Sequence, residues 1–307
     1  MFLTFGSQTH ILKNMKCDIC PRNCQVDRAK NIGFCKASNK IMISKIMLHQ
    51  GEEPFLSRET DKGSGAIFFA GCNLRCVYCQ NYKISHQMKG KQFTIPKLAQ
   101  TFKMLENKGA SNIDLVTPTH FTNQIIKALK CYKPNIPVIW NTSGYEKAQT
   151  IEKLDGLVDI YLIDFKYASN DLANKYSKAP DYVENAKQSL IAMKNQIKTN
   201  IFENKKLIHG IVVRHMVLPG NIKDSFTVLD LIKEILGDDA LVSIMSQYTP
   251  QKNCEKYPEI NRKITTLEYK AVIAHATKIG LKNCLIQDLD SSGEDLIPNF
   301  DSEIIEI

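Results

Sequence analysis

Residues 65–79 read GAIFFAGCNLRCVYC, a short apolar run followed at once by three cysteines. The run AIFFA (66–70) predicts a buried strand, because short apolar runs next to glycines are typical of strands in parallel sheets. Cys72, Cys76 and Cys79 follow at the spacing C-x3-C-x2-C. The sequence therefore places three thiols in the loop after the first strand of a predicted sheet.

Strands and helices alternate through the rest of the chain. Five further apolar runs predict strands: NIDLV (112–116), PVIWN (137–141), LVDIYLIDF (157–165), LIHGIVVRHMVL (207–218) and ALVSIMS (240–246). Apolar residues at helical spacing separate these runs, and a last apolar run, CLIQDL (284–289), follows the final helix. The pattern predicts an α/β fold, a partial (β/α)6 TIM-like barrel whose chemistry lies at the C-terminal ends of its strands.

Three regions are predicted along the chain. Residues 1–62 hold four cysteines and many turn residues, and we interpret them as a small Cys-rich N-terminal metal-binding module. Residues 63–290 form the barrel, and residues 291–307 form a C-terminal tail. Met15 stands just before the first cysteine, so Met1 and Met15 are both candidate starts of translation.

The composition is that of a globular protein. Hydrophobic residues make up 43% of the 307 positions and charged residues 23%. The sequence has no stretch of about 18 consecutive apolar residues, which excludes a transmembrane helix, and its first residues lack the features of a signal peptide. We therefore predict a cytoplasmic protein. The net charge of +8 comes from scattered lysines and indicates a solvated surface, not a nucleic-acid or membrane partner.

Ten cysteines in a chain predicted to be cytoplasmic indicate metal binding rather than disulfides. Three close thiolates suit a [4Fe–4S] cluster, in which each thiolate holds one iron and the fourth iron stays open to a small molecule. A structural zinc ion prefers four ligands, whereas this loop has three cysteines. His86 could supply a fourth ligand, so zinc remains an alternative for Cys72, Cys76 and Cys79.

Cys17, Cys20, Cys24 and Cys35 form a second group, with the spacing C-x2-C-x3-C-x10-C. Four thiolates can close a site, and a structural zinc ion and an auxiliary [4Fe–4S] cluster both fit this group. The segment HQGEEP (49–54) leads from it toward the barrel. This segment is either a solvated acidic turn, or a cover for the active site or binding segment for a partner.

Charged side chains interrupt the apolar runs at two strand ends. Asp164 and Lys166 are two residues apart, so in a strand they point to the same face. Arg214 lies between Val212 and Met216 on its own face of the next strand. An unpaired charge inside a barrel is costly, so these groups either pair with each other or bind a ligand.

The cysteine loop resembles the signature of the radical S-adenosylmethionine (SAM) superfamily in its spacing, in Tyr78 just before Cys79, and in its position after the first barrel strand. The wider chain resembles PflX-type proteins, which are relatives of pyruvate formate-lyase activating enzyme. The segments that carry this resemblance span roughly residues 17–250 and read CDICPRNCQVDR, HQGEEP, GSGAIFFAGCNLRCVYCQNYKIS, LVTPTHF, NTSGYE, LDGLVDIYLIDFKY, RHMVLPG and MSQYTP.

The resemblance implies a radical SAM barrel and a known chemistry. A reduced [4Fe–4S] cluster on Cys72, Cys76 and Cys79 cleaves SAM to methionine and a 5′-deoxyadenosyl radical, which abstracts hydrogen from a substrate. The implied substrate is a glycine of a partner glycyl-radical enzyme, and the implied electron donor is of the flavodoxin or ferredoxin type. The residues implied to contact SAM are Tyr78, Asn141, Ser143, Asp164, Lys166 and Arg214.

Two segments depart from the resembled family. Asn141 stands where the related activating enzyme has an Asp, which weakens an ionic contact to the SAM ammonium. LVTPTH (115–120) stands where many relatives have a Gly-Gly-Glu segment that holds the same group. His120 is either a packed histidine or a substrate-side acid/base, and Gln247 and Tyr248 are candidates for the adenine or substrate side.

Three functions are therefore carried forward. The first is activation of a glycyl-radical enzyme, and the second is radical SAM modification of a small metabolite, an RNA or another protein side chain. The third is a zinc-binding interaction protein without catalysis, which seven grouped cysteines would also fit. Three thiols at the catalytic end of a barrel favour the first two functions over the third.

Overall fold

The computed structural model describes residues 16–57, 61–289 and 298–306. The strands are β1 (Ile41–His49), β2 (Ser64–Phe69), β3 (Lys91–Phe93), β4 (Ile113–Val116), β5 (Val138–Thr142), β6 (Ile160–Asp164), β7 (Ile201–Glu203), β8 (Lys206–Met216), β9 (Leu241–Met245), β10 (Asn283–Ile286) and β11 (Ile305–Glu306). The helices are α1 (Tyr82–Ser85), α2 (Ile95–Asn107), α3 (Thr122–Cys131), α4 (Ala148–Glu152), α5 (Asn170–Ser177), α6 (Tyr182–Gln196), α7 (Ile222–Leu236) and α8 (Thr266–Lys278). The candidate translation starts Met1 and Met15 lie outside the described residues.

Six parallel strands form the centre of the sheet, and they correspond to the six apolar runs predicted as strands: β2, β4, β5, β6, β8 and β9. The last apolar run adds a seventh strand, β10, parallel to β9. The order is β10-β9-β8-β6-β5-β4-β2-β1-β11, and in the described part of the chain the two ends do not pair. The predicted α/β fold with a mostly parallel sheet is confirmed, and the sheet has one parallel strand more than the six predicted.

The sequence patterns do not predict β1, which joins the sheet beside the barrel strands. β1 runs antiparallel to β2, with Ile46 opposite Ile67, and β11 pairs with β1 in parallel, with Ile46 opposite Ile305. The ammonium of Lys45, a fully buried residue, donates to the Ser302 hydroxyl at 2.5 Å. The predicted boundary after residue 62 therefore falls between two paired strands, and part of the predicted C-terminal tail belongs to the sheet.

Amphipathic helices cover the outer face of the sheet. α2 begins where the Thr94 hydroxyl accepts a hydrogen bond from the Lys97 N–H at 3.3 Å, and its buried face carries Leu98, Phe102 and Leu105 at helical spacing. The longest described helices, α6 and α7, have 15 residues each. In the described part of the chain, no helix is long and apolar enough to cross a membrane.

The segment that follows β1 fills the N-terminal end of the barrel. Leu56 is buried there against Ile139, Ile160 and Val212, which point inward from β5, β6 and β8. The Phe55 carbonyl accepts a hydrogen bond from the Leu207 N–H at 2.8 Å, which ties the segment to β8. Because this apolar plug occupies the N-terminal end of the barrel, the barrel interior is open toward the C-terminal ends of the strands.

Candidate active site

A cleft opens at the C-terminal ends of the parallel strands, where the sequence predicts the chemistry. Nine of the residues singled out from the sequence line it: Cys76, Tyr78, Cys79, Asn141, Asp164, Lys166, Arg214, Gln247 and Tyr248. Cys72 and Ser143 are not part of its wall, although Cys72 belongs to the same loop as the other two cysteines. The Ser143 carbonyl accepts a hydrogen bond from the Tyr182 hydroxyl at 2.9 Å, so this segment packs against α6.

Two cations hold the Asp164 carboxylate in the cleft. Lys166 Nζ donates to Asp164 Oδ2 at 2.8 Å, and Arg214 Nε donates to Asp164 Oδ1 at 2.8 Å. Burial by itself would raise the pKa of Asp164, but the charges of Arg214 and Lys166 outweigh it and lower the pKa below its usual value. Asp164 is therefore an anion between two cations, and it pairs with both.

Asn141 connects this ionic cluster to a buried acid that the sequence reading did not select. Its amide oxygen accepts from Arg214 Nη2 at 2.9 Å, and its amide nitrogen donates to Asp114 Oδ2 at 3.2 Å. Asp114 is fully buried in β4, and burial, followed by the charge of Glu52, raises its pKa well above the usual value. An aspartate inside the apolar run NIDLV was the signal that could have revealed it.

The HQGEEP segment takes part in the cleft. Gly51 and Glu52 line the wall, and Arg214 Nη1 lies 3.6 Å from Glu52 Oε2. Only 10% of the Glu52 side chain is exposed, so the reading of this segment as a solvated acidic turn is wrong. The turn instead brings an acid into the barrel directly above the apolar plug of Phe55 and Leu56.

Hydrogen-bond donors surround the thiols of the cysteine loop. The Ser177 hydroxyl donates to Cys76 Sγ at 3.0 Å, and the Leu74 N–H donates to Cys72 Sγ at 3.4 Å. The Ser85 hydroxyl lies 3.2 Å from Cys79 Sγ. Such donors stabilise thiolate charge and adjust the potential of a bound cluster. The sequence analysis did not select either serine, because only the fold brings their hydroxyl groups next to the cysteines.

Tyr78 lies at the end of a buried chain of hydroxyl groups. Its hydroxyl pairs with the Tyr167 hydroxyl, which lies 2.7 Å from the hydroxyl of Ser177, the donor to Cys76. Its ring packs edge-on against Tyr248, with ring centroids 5.8 Å apart. Tyr78 is buried and therefore fixes one wall of the cleft next to the cysteines.

The buried thiols of the cysteine loop fit a metal cluster in their chemistry. Burial raises the pKa of Cys72 to about 12 and that of Cys79 to about 11, so deprotonation needs a positive partner such as a metal. Across the described residues, no three His, Cys, Asp or Glu side chains converge on one point where a metal ion could bind. A cubane cluster instead gives each thiolate its own iron and spreads its ligands more widely. The donor set therefore fits a three-thiolate cluster.

Among the described residues, His86 and the loop cysteines do not form a group that could hold a metal ion. The His86 Nδ1 lies 2.8 Å from the Ser85 hydroxyl, which lies 3.2 Å from Cys79 Sγ. Burial lowers the pKa of His86 to about 4. His120 also lies outside the cleft wall: it is buried, and its Nε2 lies 2.7 Å from the Ala70 carbonyl oxygen. The packed-histidine reading of His120 fits this position.

The four N-terminal cysteines lie in tight turns away from the cleft. The Cys17 N–H donates to the Val26 carbonyl at 2.9 Å, and the Asn23 N–H donates to the Cys20 carbonyl at 3.1 Å. A Cβ added at Gly33 would lie 3.2 Å from Cys24 Sγ and 3.4 Å from Cys35 Sγ, so both thiols pack against that glycine. The four cysteines thus share one small region.

Two arginines join this region to the cysteine loop of the barrel. Arg75 donates both to the Cys72 carbonyl, at 2.7 Å, and to the Phe34 carbonyl. Arg22 donates to the Asn73 carbonyl at 2.7 Å, and its guanidinium lies over the Phe34 ring at 3.9 Å. The N-terminal cysteine region therefore braces the loop that carries Cys72.

Comparisons with known proteins agree with this geometry. A model of the Radical SAM superfamily matches residues 66–232, more than half of the chain. An uncharacterized protein of Methanocaldococcus jannaschii is 32% identical over 284 residues, which cover 89% of this chain and 77% of that protein. The pyruvate formate-lyase-activating enzyme of Clostridium pasteurianum is 27% identical over 113 residues, 34% of this chain and 46% of that enzyme.

Solved structures show more distant similarity. The crystal structure of methylornithine synthase (PylB) aligns with a TM-score of 0.48 and 14% sequence identity, covering 79% of this chain and 65% of that one. A domain of a pyruvate-formate lyase-activating enzyme from Bacteroides vulgatus aligns with a TM-score of 0.40 and 14% identity, covering 54% of this chain and 91% of that one.

Proposed function

Because this chain belongs to the radical SAM superfamily, we propose that it cleaves SAM reductively in this cleft and uses the resulting 5′-deoxyadenosyl radical to abstract hydrogen from a substrate. Membership of the family supports SAM cleavage by a radical mechanism with a [4Fe–4S] cluster. The observation that carries the proposal is one cleft lined by Cys76, Cys79, Asp164, Lys166 and Arg214. Cluster ligands and charged groups suited to a zwitterionic cosubstrate meet there.

Cys72, Cys76 and Cys79 would hold the cluster, which supplies the electron for cleavage of the SAM sulfonium when it is bound. The protein's own part is to stabilise thiolate charge through the hydroxyl of Ser177, and through Ser85 beside Cys79. The buried ring of Tyr78 keeps water from the cleft wall next to these thiols.

The ionic cluster would orient SAM against the cysteine loop. Lys166 and Arg214 carry N–H donors for the carboxylate of SAM, and Asp164 carries acceptor oxygens for its ammonium. Asn141 holds the Arg214 guanidinium through its amide oxygen. Because Lys166 and Arg214 are both paired with Asp164, SAM would exchange existing ion pairs for new ones and would not have to find unpaired groups.

The proposed substrate is a glycine of a partner glycyl-radical enzyme, and we assign the chain to the PflX-type proteins within the superfamily. The partial similarity to the activating enzyme of Clostridium pasteurianum supports this choice. A flavodoxin- or ferredoxin-type protein would supply the electron. The test is to mix reconstituted protein, SAM and a glycyl-radical enzyme of the same genome and to record an EPR spectrum. A glycyl radical that depends on SAM supports the substrate, and 5′-deoxyadenosine without that radical contradicts it.

The N-terminal cysteines Cys17, Cys20, Cys24 and Cys35 would hold a second centre, for which we propose an auxiliary [4Fe–4S] cluster. Four thiolates are enough to close such a site without an open iron. Gly33 supports this, because its missing side chain lets the backbone approach Cys24 and Cys35. Iron, sulfide and zinc analysis of protein purified without oxygen decides the metal, since one zinc per chain would contradict the auxiliary cluster.

SAM cleavage itself is tested first. The full chain is reconstituted with iron and sulfide without oxygen, reduced with dithionite and given SAM, and 5′-deoxyadenosine is measured by liquid chromatography. We expect product from the wild-type chain and none when Cys72, Cys76 and Cys79 are all replaced by alanine. Equal product from both proteins would contradict the proposed function.

A further inference from the structure

The floor of the cleft carries more acid than base. The strongest negative charges that act on the Arg214 guanidinium come from two carboxyl groups, those of Asp164 and Glu52. Asp114, fully buried, adds a third carboxyl group next to Glu52. Only Lys166 joins Arg214 as a positive partner of Asp164. An uncompensated charge is costly in such an enclosed region, and burial, followed by the charge of Glu52, accordingly raises the pKa of Asp114 well above its usual value.

One oxygen of Asp114 has no donor. Asp114 Oδ2 accepts from Asn141, but Oδ1 is buried and has no hydrogen-bond partner among the described residues. The neighbour of Asp114 is the carboxyl group of Glu52. Two carboxyl groups can form a hydrogen bond with each other only by sharing a proton. A buried acceptor without a donor is costly, so this pair offers a place for a group that brings N–H donors and positive charge.

Glu52 stands between this buried acid and the open space of the cleft. It lines the wall together with Cys76, Cys79 and Lys166, whereas Asp114 is not part of the wall. Its nearest cation is Arg214, at 3.6 Å, which is farther than the 2.8 Å between Arg214 and Asp164. Arg214 therefore lies closer to Asp164, which leaves the Glu52 carboxyl group open to a cation of a ligand.

We propose that Glu52, with Asp114 behind it, forms an anionic receptor at the floor of the cleft for a cationic, ammonium-type group of a bound ligand. The inference rests on the proposed function, because SAM is the ligand that the family brings to this cleft. SAM carries an ammonium, a sulfonium and one carboxylate, so it is itself a source of this cation, and Glu52 would then share the ammonium with Asp164, since both acids pair with Arg214. An amine on the substrate is the other source, and the same receptor serves either one.

The receptor also explains the course of the chain before the barrel. Glu52 precedes Phe55 and Leu56, which anchor the segment in the apolar plug at the lower end of the barrel. The Leu56 carbonyl accepts from Asn112 Nδ2 at 2.9 Å, which fixes the height of the segment in the barrel. An acid anchored in this way is held rigidly, and this lowers the entropic cost of receiving a ligand.

The experiment compares Glu52→Gln with the wild-type chain, both reconstituted with iron and sulfide. The substitution keeps the size of the side chain and removes its charge. Dissociation constants for SAM are measured by equilibrium dialysis without reductant. If the cation belongs to SAM, we expect the Kd of Glu52→Gln to rise about tenfold or more, from the loss of a charge-assisted contact.

The second arm looks for a substrate amine. Both proteins are saturated with SAM and titrated with propylammonium chloride, and binding is followed by saturation-transfer NMR. An unchanged Kd for SAM together with propylammonium binding to the wild-type chain, but not to Glu52→Gln, assigns the receptor to a substrate amine. No difference between the two proteins in either arm overturns the receptor.

Two further variants guard against a structural artefact. Glu53→Gln makes the same change in the neighbouring residue, which lies outside the cleft wall. Burial raises the pKa of Glu53, so the substitution changes the charge at this position less than at Glu52. We expect its Kd for SAM to match wild type within about twofold, and an equal loss in both variants would overturn the specific role of Glu52. Asp114→Ala removes the carboxyl group next to Glu52 and should weaken binding in the same direction as Glu52→Gln, and an unchanged affinity would contradict the pair.

Failure of this inference and failure of the proposed function are distinguishable. A wild-type chain that holds the cluster but neither binds nor cleaves SAM would contradict the proposed function. A wild-type chain that binds SAM as tightly as Glu52→Gln does, with no amine binding in the second arm, would contradict only the receptor.

Discussion

The two cysteine regions of this chain place their thiols in different surroundings, one beside the cleft and the other away from it. The loop at Cys72, Cys76 and Cys79 follows a barrel strand, and two of its three thiols line a cleft that also holds Lys166. The region of Cys17 to Cys35 has four thiols in backbone turns, and none of them lines that cleft. Three thiols leave one position of a cubane open to a ligand, whereas four close the centre.

We propose that this difference separates a catalytic site from a region that supports it structurally. Serine hydroxyls reach Cys76 and Cys79 from α5 and α1, so the fold adjusts the electronic setting of these thiols. The N-terminal region instead extends Arg22 toward the barrel loop, where it bonds to the Asn73 carbonyl. We therefore expect damage to the first region to remove activity outright, and damage to the second to weaken the support of the loop.

The comparison is tested most strongly by Cys76→Ala. Removal of one ligand leaves the cluster with two thiolates, so 5′-deoxyadenosine formation should fall to background, a larger loss than the roughly 10–100-fold typical of an outer-shell partner. Circular dichroism should show that the chain remains folded. Cys131→Ala, at an exposed cysteine outside both regions, is the control and should cleave SAM like wild type. Substantial cleavage by Cys76→Ala would remove the loop from the proposed centre.

Lys166→Ala tests whether the cleft next to the cysteine loop binds SAM. Loss of a charge-assisted hydrogen bond worth about 1.5–3 kcal/mol should raise the Kd for SAM about 10- to 100-fold while the cluster spectrum stays intact. Lys175→Ala is the control, because Lys175 pairs with Glu259 at a largely exposed site. An unchanged affinity in Lys166→Ala would show that its pairing with Asp164 is purely structural.

The sequence was a good guide wherever a local pattern carries the information. Strands of a parallel sheet are buried on both faces, so runs such as AIFFA and ALVSIMS stand out in the sequence. Charged residues inside such runs are costly, and this is why Asp164, Lys166 and Arg214 could be selected and do lie together in the cleft. The contacts of these residues with SAM remain predictions.

Contacts between distant parts of the chain could not be predicted in this way. Ser177 is 101 positions from Cys76, and the hydroxyl partner of Lys45 is 257 positions away. Strand β1 was missed because its charged Lys45 breaks the apolar pattern, and only the C-terminal segment shows what neutralises it. Glu52 looked like part of a surface turn, since nothing local reveals that Leu56 anchors its segment inside the barrel.

A smaller effect is expected from damage to the N-terminal region. Cys24→Ser should remove the proposed second centre and lower the melting temperature, because Arg22 and Arg75 would lose a fixed support. SAM cleavage should persist at a reduced rate, with the Kd for SAM within about threefold of wild type. Complete loss of cleavage, with the first cluster intact by EPR, would make the N-terminal centre part of the chemistry and would break the distinction between the two regions.

We expect the smallest effect from the loss of a single hydrogen-bond donor to the loop of Cys72, Cys76 and Cys79. In Ser177→Ala the Cys76 thiolate loses a hydroxyl donor at 3.0 Å, together with the link to Tyr167. A hydrogen bond to a ligand sulfur stabilises the more negative, reduced cluster, so its loss should lower the reduction potential. With excess dithionite the rate of SAM cleavage should fall by less than about tenfold, and EPR-monitored redox titration should show the shift.

Ser85→Ala is the matched variant, since Ser85 stands in the same relation to Cys79. Both substitutions should move the potential in the same direction, whereas an N-terminal substitution such as Cys24→Ser should leave the potential of the first cluster nearly unchanged. A potential that rises in Ser177→Ala would contradict the role of the hydroxyl donor, and one that responds equally to Cys24→Ser would mean that the two regions are electronically coupled. The hydroxyl donors would then not be what distinguishes the open cysteine loop from the closed one.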